Sequence, residues 1–312
     1  MATMKAVRLH QFGDPDVLVY EDAPKPEPKD GEVLIKVVAA GINPVDAMVE
    51  KGAMEKEVPH SLPLIPGWDV AGTVEALGPG VTNLAASDAV FAFADIRRDG
   101  AYAEFISLPA ALVCPKPATT DFTAAASIPL AGTTAWEALT EQANLQSGQT
   151  ILIHGAGGSV GAFAVQFAKA KGAKVIGTAT GDDVEYVRGI GADTVVDYKT
   201  EKFEDTAHGV DAVLDTISGD TRARSWATLK DDGVLVSTLP GAEPPPDAAA
   251  RGVQGKSFMA HPGAANLAEI ARLVDAGQVK TRVGATFPLS EAKQAQEQAK
   301  SGHTRGKVVL TV

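Results

Sequence analysis

The stretch Thr150-Ile151-Leu152-Ile153-His154-Gly155-Ala156-Gly157-Gly158-Ser159-Val160-Gly161 decides how the rest of this chain is read. Its first residues form a short apolar run of the kind that makes a strand buried on both faces. A helical pattern follows over 160–170, with Lys169 and Lys171 suiting the helix dipole and Gly172 suiting the position after the last turn. A glycine-rich string alone is a weak signal. Between an apolar strand and a helix it predicts a tight turn whose backbone can approach a pyrophosphate, with the charge on free N–H groups of the helix N-terminus. Gly155, Gly157, Gly158, Ser159 and Val160 are the expected contacts, and Gly161 should let the helix pack closely on the strand. The alternative is a plain structural turn in an unrelated α/β protein.

Working outward, strand-like runs recur at 174–178, 194–198, 211–215 and 234–238, with a short helix at 184–188. Strands separated by helical segments predict a doubly wound parallel sheet. Upstream, residues 1–120 read as β-rich, with strands at 33–38, 70–77 and 89–93 and a proline loop at 24–28. Downstream, helices are expected at 266–276 and 289–300 and a strand at 307–312. That last strand shows no βαβ partner nearby and is expected to pair back with the N-terminal β-rich part. The expected division is 1–123, 124–276 and 277–312, the last returning to the first.

The chain has 312 residues, 45% hydrophobic and 21% charged, which suits a globular protein of two domains or one large one. Its 28 basic and 39 acidic residues leave a net charge of −11 and no basic stripe. It therefore lacks the counterion-release term of nucleic-acid binding and should be repelled by anionic lipid. Cys114 is the single cysteine, so no intrachain disulfide can form and a reducing, cytoplasmic location is expected. The N-terminal MATMKAVRLH carries no apolar core of a secretory signal.

A dinucleotide site for NAD usually carries an acid about 20 residues after the glycine turn, at the end of the second strand. Here that strand ends in Thr178-Ala179-Thr180, with room for a 2′-phosphate, so NADPH is expected ahead of NADH. Asp182 and Asp183 cut the other way, unless they cap the next short helix.

With these segments in view, the sequence resembles the zinc-free quinone oxidoreductase branch of the medium-chain dehydrogenase/reductase superfamily. The resemblance is carried by Ala40-Gly41-Ile42-Asn43-Pro44-Val45-Asp46, Pro66-Gly67-Trp68-Asp69-Val70-Ala71-Gly72 and Gly132-Thr133-Thr134-Ala135-Trp136. The glycine turn itself, Gly191-Ala192-Asp193 through Asp197-Tyr198, and Gly306-Lys307-Val308-Val309-Leu310 extend it over almost the whole chain. It implies a GroES-like catalytic domain with a Rossmann domain inserted, hydride transfer from NADPH, and a homodimer joined through a strand near 257–261. It also implies site residues. Asn43 and Asp46 match the motif beside the nicotinamide, Thr133 a cofactor-facing threonine, and Ser159 and Val160 the pyrophosphate turn. Thr178, Thr180 and Tyr198 fall at the adenosine-ribose and 2′-phosphate end, and Thr216, Thr238 and Phe258 on the nicotinamide side. Each has a plainer reading: Asn43 as a turn residue before Pro44, Thr133 as a helix N-cap, Tyr198 as a strand-end aromatic.

Two departures from the superfamily pattern stand out. Asn43 replaces the first zinc-binding Cys of the metal-dependent branch, and Gly67-Trp68-Asp69 replaces its Gly-His-Glu, so no metal site is expected. Met48 and Met54 stand where many relatives carry tyrosines, which removes one proton donor, and Tyr102 reads as a structural sheet residue. The leading expectation is an NADPH-dependent reductase of quinones or α,β-unsaturated carbonyls, with a small-molecule acceptor and a proton taken from water. The alternatives are a cofactor-binding sensor or interaction protein with little turnover, and an alcohol or aldehyde dehydrogenase.

Overall fold

The computed structural model describes residues 2–302 and 304–312, arranged in two compact units. One unit comprises the chain up to Leu130 with Pro262–Asp275 and Thr281–Val312; the other comprises Ala131–His261 with Ala276–Lys280.

The second unit is built on six parallel strands. Their spatial order is Thr194–Asp197, Lys174–Ala179, Thr150–Ile153, Val210–Asp215, Leu229–Ser237 and Gln254–Ser257. Thr150–Ile153 comes first in the chain but lies inside the sheet, so the chain winds first to one side of it and then to the other. That reversal is the topological switch point of a Rossmann sheet, where ligands bind at the carboxyl ends of the strands. Ile151, Leu152 and Ile153 are buried, as a strand covered on both faces requires. The helix Ser159–Ala170 buries Phe163, Ala164, Val165, Phe167 and Ala168, and Trp136 meets the Phe167 ring edge-on at 5.3 Å.

The first unit centres on the strand Glu32–Gly41, almost wholly buried. It pairs antiparallel with Asp69–Leu77 on one side, and on the other with Phe105–Pro109 and Lys307–Thr311. A separate hairpin joins Thr3–Leu9 to Leu18–Pro24. The C-terminal strand thus returns to the N-terminal sheet as expected. It also has the βαβ partner that the sequence reading denied: Val283–Pro288 pairs with it in parallel, linked through the helix Ala292–Lys300. Val283–Pro288 escaped notice because it alternates between half-buried and exposed residues and contains Gly284.

The units divide after Leu130, where 123 was expected, and then after His261, Asp275 and Lys280, where a single return after 276 was expected. The helix Ala264–Asp275 explains the difference. Its last residue, Asp275, accepts hydrogen bonds from the amides of Ala118 and Thr119, which tie the helix to the β-rich unit. The strand expected near 257–261 is Gln254–Ser257, an edge strand, and 258–261 lie outside it. Among the described residues, no helix is long and apolar enough to cross a membrane.

Candidate active site

The glycine turn joins Thr150–Ile153 to the helix Ser159–Ala170, whose N-cap position, Gly158, offers no side-chain cap. Gly155 has φ +65°, and a Cβ there would lie 2.6 Å from Thr216 Oγ1. A Cβ on Gly161 would stand 2.2 Å from Gly155 O, so the helix packs on the backbone of the turn itself. Thr216, Thr238 and Phe258 follow the ends of three successive strands, and Thr180 and Tyr198 follow the ends of the two on the other side. The structure therefore brings these residues and the turn to the carboxyl edge of one sheet.

Thr178 is different. It is buried, and its hydroxyl lies 3.3 Å from both Gly155 N and His154 Nδ1, so it braces the turn from below and does not face the adenosine end. Burial lowers the His154 pKa to about 4, so the ring is neutral, with Nε2 at 2.8 Å from Ser225 Oγ. Thr180 hydrogen-bonds Asp197, whose pKa is lowered first by the Lys199 N–H and then by that hydroxyl. Tyr198 is 57% exposed. Asp182 takes the N-cap position of the helix Asp183–Gly189 without a side-chain cap, and Asp183 lies against Gly157, its Cβ 3.0 Å from where a Cβ there would be. Arg222, which the sequence did not single out, binds Asp215 Oδ2 at 2.7 Å and the carbonyls of Leu239, Pro240 and Gly241. It fixes the loop that carries Thr238.

Thr133 lies within the helix Pro129–Glu137, which sets aside its reading as an N-cap. Its hydroxyl is buried with no hydrogen-bond partner. An orphaned buried hydroxyl, a glycine cradle and an uncapped helix N-terminus are the features that a nicotinamide dinucleotide would satisfy. The residues present fit that cofactor.

In the first unit Asn43 and Asp46 stand together at the start of the helix Pro44–Glu50, Asn43 in the N-cap position. Asp46 Oδ2 accepts from Asn43 N at 2.8 Å and from the Tyr102 hydroxyl at 2.7 Å. Asn43 Nδ2 donates to Asp69 Oδ2 at 2.9 Å, and Asn43 Oδ1 accepts from Lys307 Nζ. Lys307 also pairs with Asp69 Oδ2 at 3.2 Å, and Asp69 Oδ1 accepts from Leu130 N. All five side chains are buried. Tyr102 is structural, as expected, since a Cβ on Gly67 would strike its ring at 2.2 Å, but its hydroxyl also belongs to this cluster. Burial raises the Asp46 pKa to about 7, against the pull of Tyr102, Asn43 and Lys307.

Residues 29–118 match the alcohol dehydrogenase GroES-like domain, and residues 190–310 match the zinc-binding dehydrogenase model. The chain is 33% identical to the chloroplast envelope quinone oxidoreductase homolog of Arabidopsis thaliana, over 98% of each protein. It is 36% identical to a chloroplastic NADPH-dependent alkenal/one oxidoreductase of the same plant, over 98% of this chain and 79% of that one. The solved quinone oxidoreductase of Coxiella burnetii superposes with a TM-score of 0.91 at 33% identity, covering 100% of both chains. The chain belongs to the quinone oxidoreductase branch of the medium-chain dehydrogenase/reductase family.

In this quinone oxidoreductase-branch chain the residues do not fit zinc. The positions of the metal-dependent branch hold Asn43, Trp68 and Asp69. The Trp68 Nε1–H donates to Arg98 O and has no lone pair for a metal. The Lys307 ammonium binds both Asn43 and Asp69. Cys114 lies elsewhere, buried in Val113–Pro115, with burial pushing its thiol up to about 11. Among the described residues no three His, Cys, Asp or Glu side chains gather as a metal site. The sequence reading missed Asp69 and Lys307 as site residues. The available signal was a charge opening an apolar strand at Asp69 and again at Lys307, since two such charges are stable in a core only when they meet.

Proposed function

We propose that this protein reduces quinones or α,β-unsaturated carbonyls with NADPH, without metal. The observation that carries the reading is the polar cluster of the first unit. Amide, ammonium and carboxyl groups stand where alcohol oxidation would need thiolate and imidazole ligands, while the second unit keeps a complete dinucleotide turn. An electron-poor acceptor needs no Lewis acid to take a hydride. A bound nicotinamide dinucleotide would supply that hydride. Gly155, Gly157, Gly158, Ser159 and Val160 would hold its diphosphate and Thr180 and Tyr198 its adenosine end. Thr133, Thr216, Thr238 and Phe258 would line its nicotinamide side. Asn43 Nδ2 has a second N–H beyond the one given to Asp69, and that N–H positions the acceptor oxygen.

The preference for NADPH over NADH is supported by the small residues that end Lys174–Ala179, with no acid of its own there. The same reading includes a small-molecule acceptor, a homodimer through the free edge of Gln254–Ser257, and a cytoplasmic location. A net charge of −11 argues against nucleic-acid and membrane partners. Fluorescence titration with NADPH and NADH, followed by turnover on a quinone and enone panel, tests the proposal. Tight binding without turnover on any acceptor would replace it with a sensor role.

A further inference from the structure

The glycine turn is held from beneath by a chain of hydrogen bonds that can run in one direction only. Ser225 Oγ donates its single proton to the Thr221 carbonyl at 2.6 Å. His154 Nε2 lies 2.8 Å from the same Ser225 oxygen, so the ring must donate to it. At the other end the Gly155 N–H, which can only donate, lies 3.3 Å from Thr178 Oγ1. The Thr178 proton therefore goes to His154 Nδ1, also at 3.3 Å. Both ends of the chain agree on one state of the ring: neutral, with its proton on Nε2 and a bare Nδ1 that accepts. The ring is fully buried and meets the Phe203 ring edge-on at 4.6 Å. The charged groups that face it are Asp215, Arg224 and Glu204, and burial outweighs all three. Asp215 binds Arg222 at 2.7 Å and Glu204 binds Arg224 at 2.6 Å, so each carboxylate is already engaged.

Thr178 is where the turn is fastened. Its hydroxyl takes the Gly155 amide and its carbonyl takes the Ala156 amide at 3.0 Å, while Gly158 N donates to Gly155 O at 2.9 Å. Those three amides are satisfied within the protein. The amides of Ser159 and Val160 open the helix Ser159–Ala170 and have no acceptor inside it, so they are the ones a diphosphate can take. The His154 carbonyl meanwhile accepts from Thr216 Oγ1 at 3.0 Å. One buried residue thus ties down both the glycine turn and the residue that follows the neighbouring strand, Val210–Asp215.

We propose that His154 is a positioning residue for the dinucleotide: by accepting the Thr178 proton it turns the Thr178 oxygen onto the Gly155 amide, and so fixes the turn in the form that offers the Ser159 and Val160 N–H groups to the diphosphate. This rests on the reading of the turn as a dinucleotide site. His154 acts through Thr178 and does not itself meet the ligand. Without Nδ1 the Thr178 proton has no acceptor. The hydroxyl is then no longer held toward Gly155, and a buried donor is left unmet at the base of the turn.

Nitrogen NMR of histidine-labelled protein, free of cofactor, reads the tautomer directly. The signals absent from His154→Phe should show a protonated Nε2 and an unprotonated Nδ1 at neutral pH. Titration with NADPH, without acceptor, reads the positioning. His154→Phe keeps a ring against Phe203 and should bind NADPH about tenfold more weakly. Its kcat at saturating NADPH should stay within about threefold of wild type, with the loss in KM for NADPH. His154→Asn, whose amide oxygen can replace Nδ1, should recover most of the binding. Thr178→Val should lose binding as His154→Phe does, and Thr178→Ser should regain it. Combining His154→Phe with Thr178→Val should cost no more than either alone, because both act through one bond. Should His154→Phe not fold, Thr178→Val against Thr178→Ser carries the comparison, and the His154 signals are those that move in Thr178→Val. A proton on Nδ1 overturns the proposal, as do additive losses with no recovery in His154→Asn and Thr178→Ser. Wild-type binding of NADPH that these variants leave unchanged overturns the positioning role alone. Wild-type failure to bind NADPH or NADH overturns the dinucleotide reading and the positioning role with it.

Discussion

Lys307 Nζ donates to Asn43 Oδ1 across 264 positions of sequence, and pairs with Asp69 Oδ2 at 3.2 Å. A buried ammonium is stable there only because a carboxylate and an amide oxygen meet it. Lys307→Met should destabilise the fold by about 3–5 kcal/mol, because Asp69 is left as an uncompensated buried charge. Pairing it with Asp69→Leu should recover much of that loss. An unfolding free energy from urea titration of Lys307→Met within about 1 kcal/mol of wild type, the size of a surface change, would contradict the pairing.

Asn43→Ala removes the spare N–H and the bridge between Lys307 and Asp69. Turnover should fall by about a hundredfold, with a much smaller change in NADPH affinity. Steady-state kinetics beside a binding titration separates the two effects. Equal losses in both would argue against a positioning role.

The glycine turn divides into two kinds of position. Gly161→Ala places a methyl 2.2 Å from Gly155 O, so the turn must distort and thermal stability should drop. Gly158 is exposed with φ −76°, and its added Cβ meets only Gly155 O, at 3.2 Å. Gly158→Ala should therefore fold with a near-native melting curve and bind NADPH about tenfold or more weakly, because the methyl bars the close approach of a diphosphate.

Asp183 lies against Gly157, where a diphosphate would rest, and its carboxylate would repel that charge. Asp183→Ser should tighten NADPH binding by about three- to tenfold at low salt, and the gain should shrink as ionic strength rises. Calorimetric titrations at two salt concentrations measure this, and unchanged affinity at both would show that the carboxylate points away from the phosphates.

His154 and the two buried carboxyls respond to acid with opposite signs. The folded His154 pKa is depressed to about 4 from 6.5, so the unfolded chain binds more protons between those values. Its contribution is complete above about pH 6.5 and is lost as pH falls toward 4, to a total of about 3 kcal/mol. Asp46 and Glu50 are raised to about 7, so they favour the folded state below the ordinary carboxylate range and lose that advantage as pH rises to 7. Relative to His154→Phe, the wild-type urea midpoint should therefore fall as pH drops from 6.5 to 4. A constant difference across that range would mean the ring is solvated or charged in the folded state.

The sequence carried what is local. Thr150 to Gly161 announces strand, turn and helix because glycine, β-branched and cationic residues act within a few positions of themselves. The loss of zinc chemistry was equally legible, since a missing thiolate or imidazole is a fact of composition at a fixed spacing. Where local signals were thin, the reading failed: Val283–Pro288 has no continuous apolar run, and Thr178 in sequence gives no sign that its hydroxyl turns inward to His154 and Gly155.

The tertiary structure alone decided the polar cluster. Tyr102 meets Asp46 across 56 positions, Asn43 meets Asp69 across 26, and Lys307 closes the group from the last strand. It also left Glu50 buried without a hydrogen bond, 3.8 Å from Lys300 of a helix some 250 residues away. Sequence determined which groups could hold a diphosphate and which metal chemistry was absent, because backbone freedom and donor type are properties of single residues. Which acids stay protonated and which cation pairs with which carboxylate depend on burial, and burial exists only once distant strands have come together.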